Sequence, residues 1–111
     1  MSREVFKVAV YVPLGYEDAV MDAVDSAIES VYPTYRRTFS VTDVVGTWKP
    51  VEGADPFQGT VGEVETAAER KIEFIAFGDD LPGAVAAIAE AHPYEEPAID
   101  IMPMVAWKSL L

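Results

Sequence analysis

The stretch "AHPYEEPAID", Ala91 to Asp100, holds the chain's only histidine, two adjacent glutamates, a tyrosine and two prolines. Its reading decides how the second half of the chain folds. His92 precedes Pro93, and a residue before proline is pushed out of the helical region by clash with the pyrrolidine ring. A helix arriving from the N-terminal side therefore ends at His92. Proline has no N–H to give to a sheet, so Pro97 marks the start of a strand, "PAIDIMPMV", and Pro103 gives that strand the character of an edge. The ten residues join a helix to a strand.

Outward from there, "GDDLPGAVAAIAEAH" has helical spacing. Asp79 or Asp80 can cap it, Pro82 suits its first turn, and Leu81, Val85, Ile88 and Ala89 form an apolar stripe. Before it, "EVETAAERKIEFIAF" alternates, with Ile72, Phe74 and Ala76 on one face and Lys71, Glu73 and Ile75 on the other. "VFKVAVYVP", Val5 to Pro13, is a near-continuous apolar run that fits a central strand. In "LGYEDAVMDAVDSAIESVYP" the apolar positions 19, 20, 23, 24, 27, 28 and 31 recur at helical spacing, with acids in the first turn and Pro33 past the end. "TYRRTFSVTDVVG" alternates as a half-buried strand, with Tyr35, Arg37, Phe39 and Val41 on one face; Arg36 and Arg37 can pair with Glu73 or Glu69 across the hairpin.

The order is strand, helix, strand, strand, helix, strand. It predicts an α+β fold, a ferredoxin-like split βαβ (βαββαβ) sandwich. A four-stranded antiparallel sheet carries both helices on one face, with the first and third strands inside and the second and fourth outside. Tyr11, Ile75 and Phe77 are placed on the other face. Residues 1–111 read as one domain, with a core of about 5–104 and a short tail over 105–111.

With no cysteine among 111 residues, disulfides, thiolate metal sites and cysteine nucleophiles are excluded. The N-terminus "MSREVFKVAV" has no signal-peptide pattern, and no apolar run nears the roughly 20 residues of a membrane helix. A cytoplasmic protein with no membrane partner is expected. A formal net charge of −11 with few basic residues excludes nucleic acid as a partner, because phosphate binding draws on clustered Lys and Arg.

The segment Thr47 to Gly62, "TWKPVEGADPFQGTVG", breaks both periodicities. Irregular loops longer than about 12–15 residues are uncommon in compact domains unless functional. It lacks both common phosphate-loop patterns. Gly46, Gly53, Gly59 and Gly62 are read as turn glycines with positive φ, Trp48 and Phe57 as hydrophobic pins or ligand contacts, and Lys49 as the anion contact of any ligand. Two readings of Ala91–Asp100 stay open. In one, His92 only ends a helix and Tyr94 packs over it. In the other, His92, Glu95 and Glu96 hold a divalent metal, which is the candidate cofactor, with a second subunit supplying the missing ligands, since adjacent glutamates in extended chain point to opposite sides. No nucleophile–base pattern marks an enzyme.

Three stretches carry a resemblance. "KVAVYVP", "GTWKPVEGADPFQGTVGEVE" and "AHPYEEPAIDIMPM" resemble, in order and spacing, the PII/CutA-like domain inserted in Nif-three-like proteins of the YqfO type, a domain that also occurs alone. The chain is identified as such a stand-alone domain. The resemblance implies a PII/CutA-like fold and a compact homotrimer, with clefts between subunits beside the long loop. The dinuclear metal centre of the larger family members lies in flanking domains and needs several histidines, so it does not carry over. The expected function is a non-enzymatic ligand-binding or regulatory module with a small-molecule or protein partner, in which Trp48, Lys49, Phe57, His92 and Tyr94 are the ligand contacts. The alternatives are a divalent-metal-binding protein of CutA type and a trimeric assembly module without a small ligand.

Overall fold

A computed structural model describes residues 3–111. Strand β1 spans Val5–Pro13, helix α1 Glu17–Ala27, strand β2 Ser40–Trp48 and strand β3 Glu65–Phe77. A 3₁₀ turn at Gly78–Asp80 leads into helix α2, Leu81–Ala91, then strand β4, Ile99–Met104, and a last 3₁₀ turn at Trp107–Leu110. All strand pairs are antiparallel, in the order β2-β3-β1-β4. The inner and outer strands are those expected.

Period-2 alternation sets the core. Val8, Val10 and Val12 of β1 lie opposite Phe74, Ile72 and Arg70 of β3, and the three valines are fully buried. Val20 and Val24 of α1 and Ile88 of α2 close over them, with Phe74 and Ala76. Phe39 meets the Phe74 ring edge-on, with centroids 5.8 Å apart.

Four local expectations change. Helix α1 stops at Ala27, because Ile28 is already extended, so Val31 lies outside the helix. Asp80 does not cap its own helix; its Oδ2 accepts the Glu29 N–H at 2.9 Å and ties the end of α1 to the start of α2. Helix α2 buries Ala84 and Ile88 and leaves Ala89 exposed. The two helices lie side by side at Gly83, where an added Cβ would make ordinary contact, at 3.9 Å, with the Ala27 carbonyl oxygen. Finally, β2 begins only at Ser40. Arg37 takes φ 57°, a left-handed conformation that breaks the strand and turns Arg36 and Arg37 toward α1. Arg36 pairs with Asp25 at 2.6 Å and Arg37 with Asp22 at 2.9 Å, not with Glu69 or Glu73.

The thirteen residues of β3 outrun β1. Positions 69–77 pair with β1, whereas 65–68 pair only with β2. The β2–β3 hairpin therefore projects as an arm, and Val45 on it is 72% exposed. The far end of this arm, where Trp48 pairs with Glu65, carries the long loop.

Candidate functional site

The site forms where the end of β2, the loop over 49–64, β3, and the 93–98 segment meet. His92 is its anchor. The backbone at His92 is extended (φ −83°, ψ 135°), as the following proline requires, and its N–H still closes the helix on the Ile88 carbonyl at 2.9 Å. The buried ring then uses both nitrogens. Nδ1 accepts the Tyr94 N–H at 3.1 Å, so the proton sits on Nε2, which donates to the Tyr11 carbonyl at 2.6 Å. Burial holds the His92 pKa below the ordinary 6.5, against the pull of the Tyr11 carbonyl and the Glu69 charge.

This sets a pH dependence. The unfolded chain takes up a proton at His92 near the ordinary value of 6.5, before the folded chain does. The stability held at neutral pH is lost as pH falls below 6.5 through the lowered folded pKa. Thermal melts between pH 7.5 and 5 should show the wild type losing more stability than His92→Gln. Parallel slopes for the two proteins would contradict this role.

Tyr94 leaves the helix end and lies over the sheet. Its hydroxyl donates to Glu69 Oε2 at 2.7 Å. Burial and that bond push the phenol pKa well above its usual value, so it stays a donor. Trp48 and Phe57 flank its ring, at 5.6 Å and 6.0 Å between centroids. Phe57 also meets Tyr16 edge-on at 5.8 Å.

The loop is pinned from several sides. The Trp48 indole N–H donates to the Gln58 carbonyl at 3.2 Å, and Gly62 N–H donates to the Pro50 carbonyl at 2.8 Å. Asp55 N–H donates to Glu95 Oε2 at 3.1 Å, which joins the loop directly to the 93–98 segment. Gly53, Gly59 and Gly62 have positive φ as expected. Gly46 does not. Its reason is space: a Cβ there would stand 2.1 Å from Glu69 Oε1 and 2.7 Å from Glu69 Cδ.

Between these parts lies a cleft of about 540 Å³, within the usual range for small-molecule sites. It brings together Trp48, Lys49, Phe57, Tyr94, Glu95 and Glu96, and leaves His92 behind Tyr94 as a support. Sequence reasoning missed Glu69. It is 6% exposed and forms part of the cleft wall beside Tyr11 and Gly46. In "AAERKIEF" it alternates like the neighbouring charged positions, so nothing in the pattern singles it out. A glycine inside a strand is a signal for close approach, and Gly46 was readable in that way. Among the described residues no group of three or more His, Asp or Glu is placed to hold a metal ion. His92, Glu95 and Glu96 do not converge here, because the buried ring has spent both nitrogens while the two carboxylates lie at the surface.

A four-stranded antiparallel sheet with two helices on one face is a ferredoxin-like fold, and solved structures place it in its PII/CutA-like form. The divalent cation tolerance protein CutA from Archaeoglobus fulgidus superposes with a TM-score of 0.67 at 11% identity, over 92% of this chain and 85% of that one. The Bacillus subtilis GlnK–ATP complex gives 0.61 at 11%, over 94% and 86%. A Bacillus cereus protein related to NIF3 gives 0.82 at 29% identity, over 96% of this chain and 27% of its own. By sequence, the chain resembles the GTP cyclohydrolase 1 type 2 homolog of Halalkalibacterium halodurans, at 36% identity over 93% of this chain and 28% of that protein. The Bacillus subtilis homolog is 37% identical over 88% and 26%. The chain thus spans about a quarter of the length of these curated relatives, and it is similar to the PII/CutA-like domain of Nif3-like proteins. No protein-family model matches it. No described helix is long and apolar enough to cross a membrane.

Proposed function

We propose that this chain is a non-enzymatic ligand-binding or regulatory module of PII/CutA type, and that its ligand enters the cleft between the long loop and Pro93–Pro97. The observation that carries this reading is the convergence of Trp48, Phe57 and Tyr94 on one cleft whose wall includes a buried carboxylate. Apolar clefts with a few placed polar groups are the usual form of small-molecule sites. The loop is tethered to the 93–98 segment by the Asp55–Glu95 bond, so a ligand in the cleft touches both elements at once. The chain's only histidine is occupied with backbone groups and pairs with no nucleophile, which favours binding over catalysis.

The module acts as a homotrimer in the cytoplasm. Val45 on the projecting β2–β3 arm, Val41 further back on the edge strand β2, and the apolar tail at Val105, Trp107, Leu110 and Leu111 supply surface for self-association. Light scattering should return the mass of three chains; a monomer at all concentrations would overturn the assembly. Calorimetric titration against nucleotides, amines and divalent metals tests the module itself. Binding lost in Trp48→Ala is the expected result, and silence across the panel would sink the reading.

The names of the CutA neighbours favour a second reading, divalent-metal binding by His92, Glu95 and Glu96. It requires His92 to release the Tyr11 carbonyl or the Tyr94 N–H. Metal analysis of protein purified without added metal, with His92→Ala beside it, decides this reading.

A further inference from the structure

The walls of the cleft favour one sign of charge. Glu69 is almost fully buried, and among the described residues it makes no ion pair. Its one side-chain partner is the neutral Tyr94 hydroxyl, and His92 behind that ring is held neutral by burial. A buried carboxylate without a counter-ion is costly unless something positive joins it. Around it stand three aromatic rings, whose faces are electron-rich and attract cations. Glu95 and Glu96 add negative charge at the rim, against Lys49 alone.

We propose that the cleft binds a small organic cation, a quaternary or protonated amine, with its head group among Trp48, Phe57 and Tyr94 and its charge facing Glu69. This rests on the reading of the cleft as the ligand site and gives the class of ligand. A bare divalent metal fits less well. It needs several oxygen or nitrogen ligands, and the walls near Glu69 are aromatic and aliphatic. An anion such as a nucleotide would place its phosphates beside a buried carboxylate, with one lysine to offset the repulsion.

The test follows Trp48 emission in the Trp107→Phe protein, which leaves Trp48 as the sole indole. Choline, tetramethylammonium and methylguanidinium are titrated beside 3,3-dimethyl-1-butanol, the neutral isostere of choline, and ATP. At least one cation should bind and shift the emission, with the neutral isostere about tenfold weaker or more. Glu69→Gln keeps an acceptor for Tyr94 and should also lose about tenfold for the cation, with a melting temperature no lower than the wild type's, since an unpaired buried charge is removed. If ATP or the neutral alcohol shifts Trp48 and no cation does, the cation class is wrong and the ligand cleft stands. If no probe acts, both fail. Cation binding unchanged in Glu69→Gln overturns the role given to that carboxylate.

Discussion

Phe74→Ala is expected to lower the unfolding free energy by about 3–5 kcal/mol, the usual cost of truncating a fully packed phenylalanine. Phe74 is 3% exposed, lies opposite Val8 on β1 and meets Phe39 edge-on. No neighbour is free to fill the gap, since the opposite wall is made by Val20, Val24 and Ile88, each fully buried. In a chain of this size that loss shifts the melting temperature by about 15–30 °C. Thr42→Ala on exposed β2 is the control and should stay within about 0.5 kcal/mol. Melts must be compared at one chain concentration, because the proposed self-association would add to apparent stability. A cost below about 1 kcal/mol for Phe74→Ala would mean that this face of the sheet is not the core.

Gly46→Ala should be the most disruptive single methyl in the site. The added carbon would fall 2.1 Å from Glu69 Oε1, so the carboxylate must move, and Tyr94 then loses its acceptor. Overpacking of this kind costs about 1–3 kcal/mol. Backbone conformation is not the cause, because φ at Gly46 is not in the left-handed region. The Glu69→Ala background isolates the effect. With the carboxylate gone, Gly46→Ala should be neutral or stabilising by a few tenths of a kcal/mol, since alanine loses less chain entropy in a strand. The coupling between the two sites should therefore exceed about 1 kcal/mol. Simple additivity would show that the two residues do not share that space. The same variant should lose ligand binding while keeping its far-ultraviolet circular dichroism.

Much of the fold was legible because strong local signals agree with one another. The proline after His92 stops α2 where the structure stops it, and the alternation of Ile72, Phe74 and Ala76 identifies the buried face of β3. The misread parts depend on tertiary partners. Alternation carried a strand from Thr34 onward, but ion pairs to Asp22 and Asp25 and the left-handed Arg37 draw that segment onto α1. In α2, Ala84 sits one turn before Ile88 and shares its buried face, whereas Ala89 lies outside that face. The site was legible in its aromatic members. Trp48, Phe57 and Tyr94 stand out by type in a loop and a proline-bounded turn, and they meet across the cleft. Glu69 was not, because it becomes special only when Gly46 and Tyr94 enclose it. Its value lies in burial, which one strand read alone does not reveal.

The cleft between the long loop and Pro93–Pro97 is proposed as the place where this chain meets its ligand. The Trp48 indole N–H reports on it directly, because it is bonded to the Gln58 carbonyl inside the loop. Its amide-region NMR signal is assigned by comparison with Trp107→Phe and followed during titration with the organic cations. The largest shifts are predicted at that signal and at the backbone amides of Gly46, Glu69 and Tyr94. Shifts centred instead on the Trp107–Leu110 tail, or none at the Trp48 signal at saturating cation, would contradict the account.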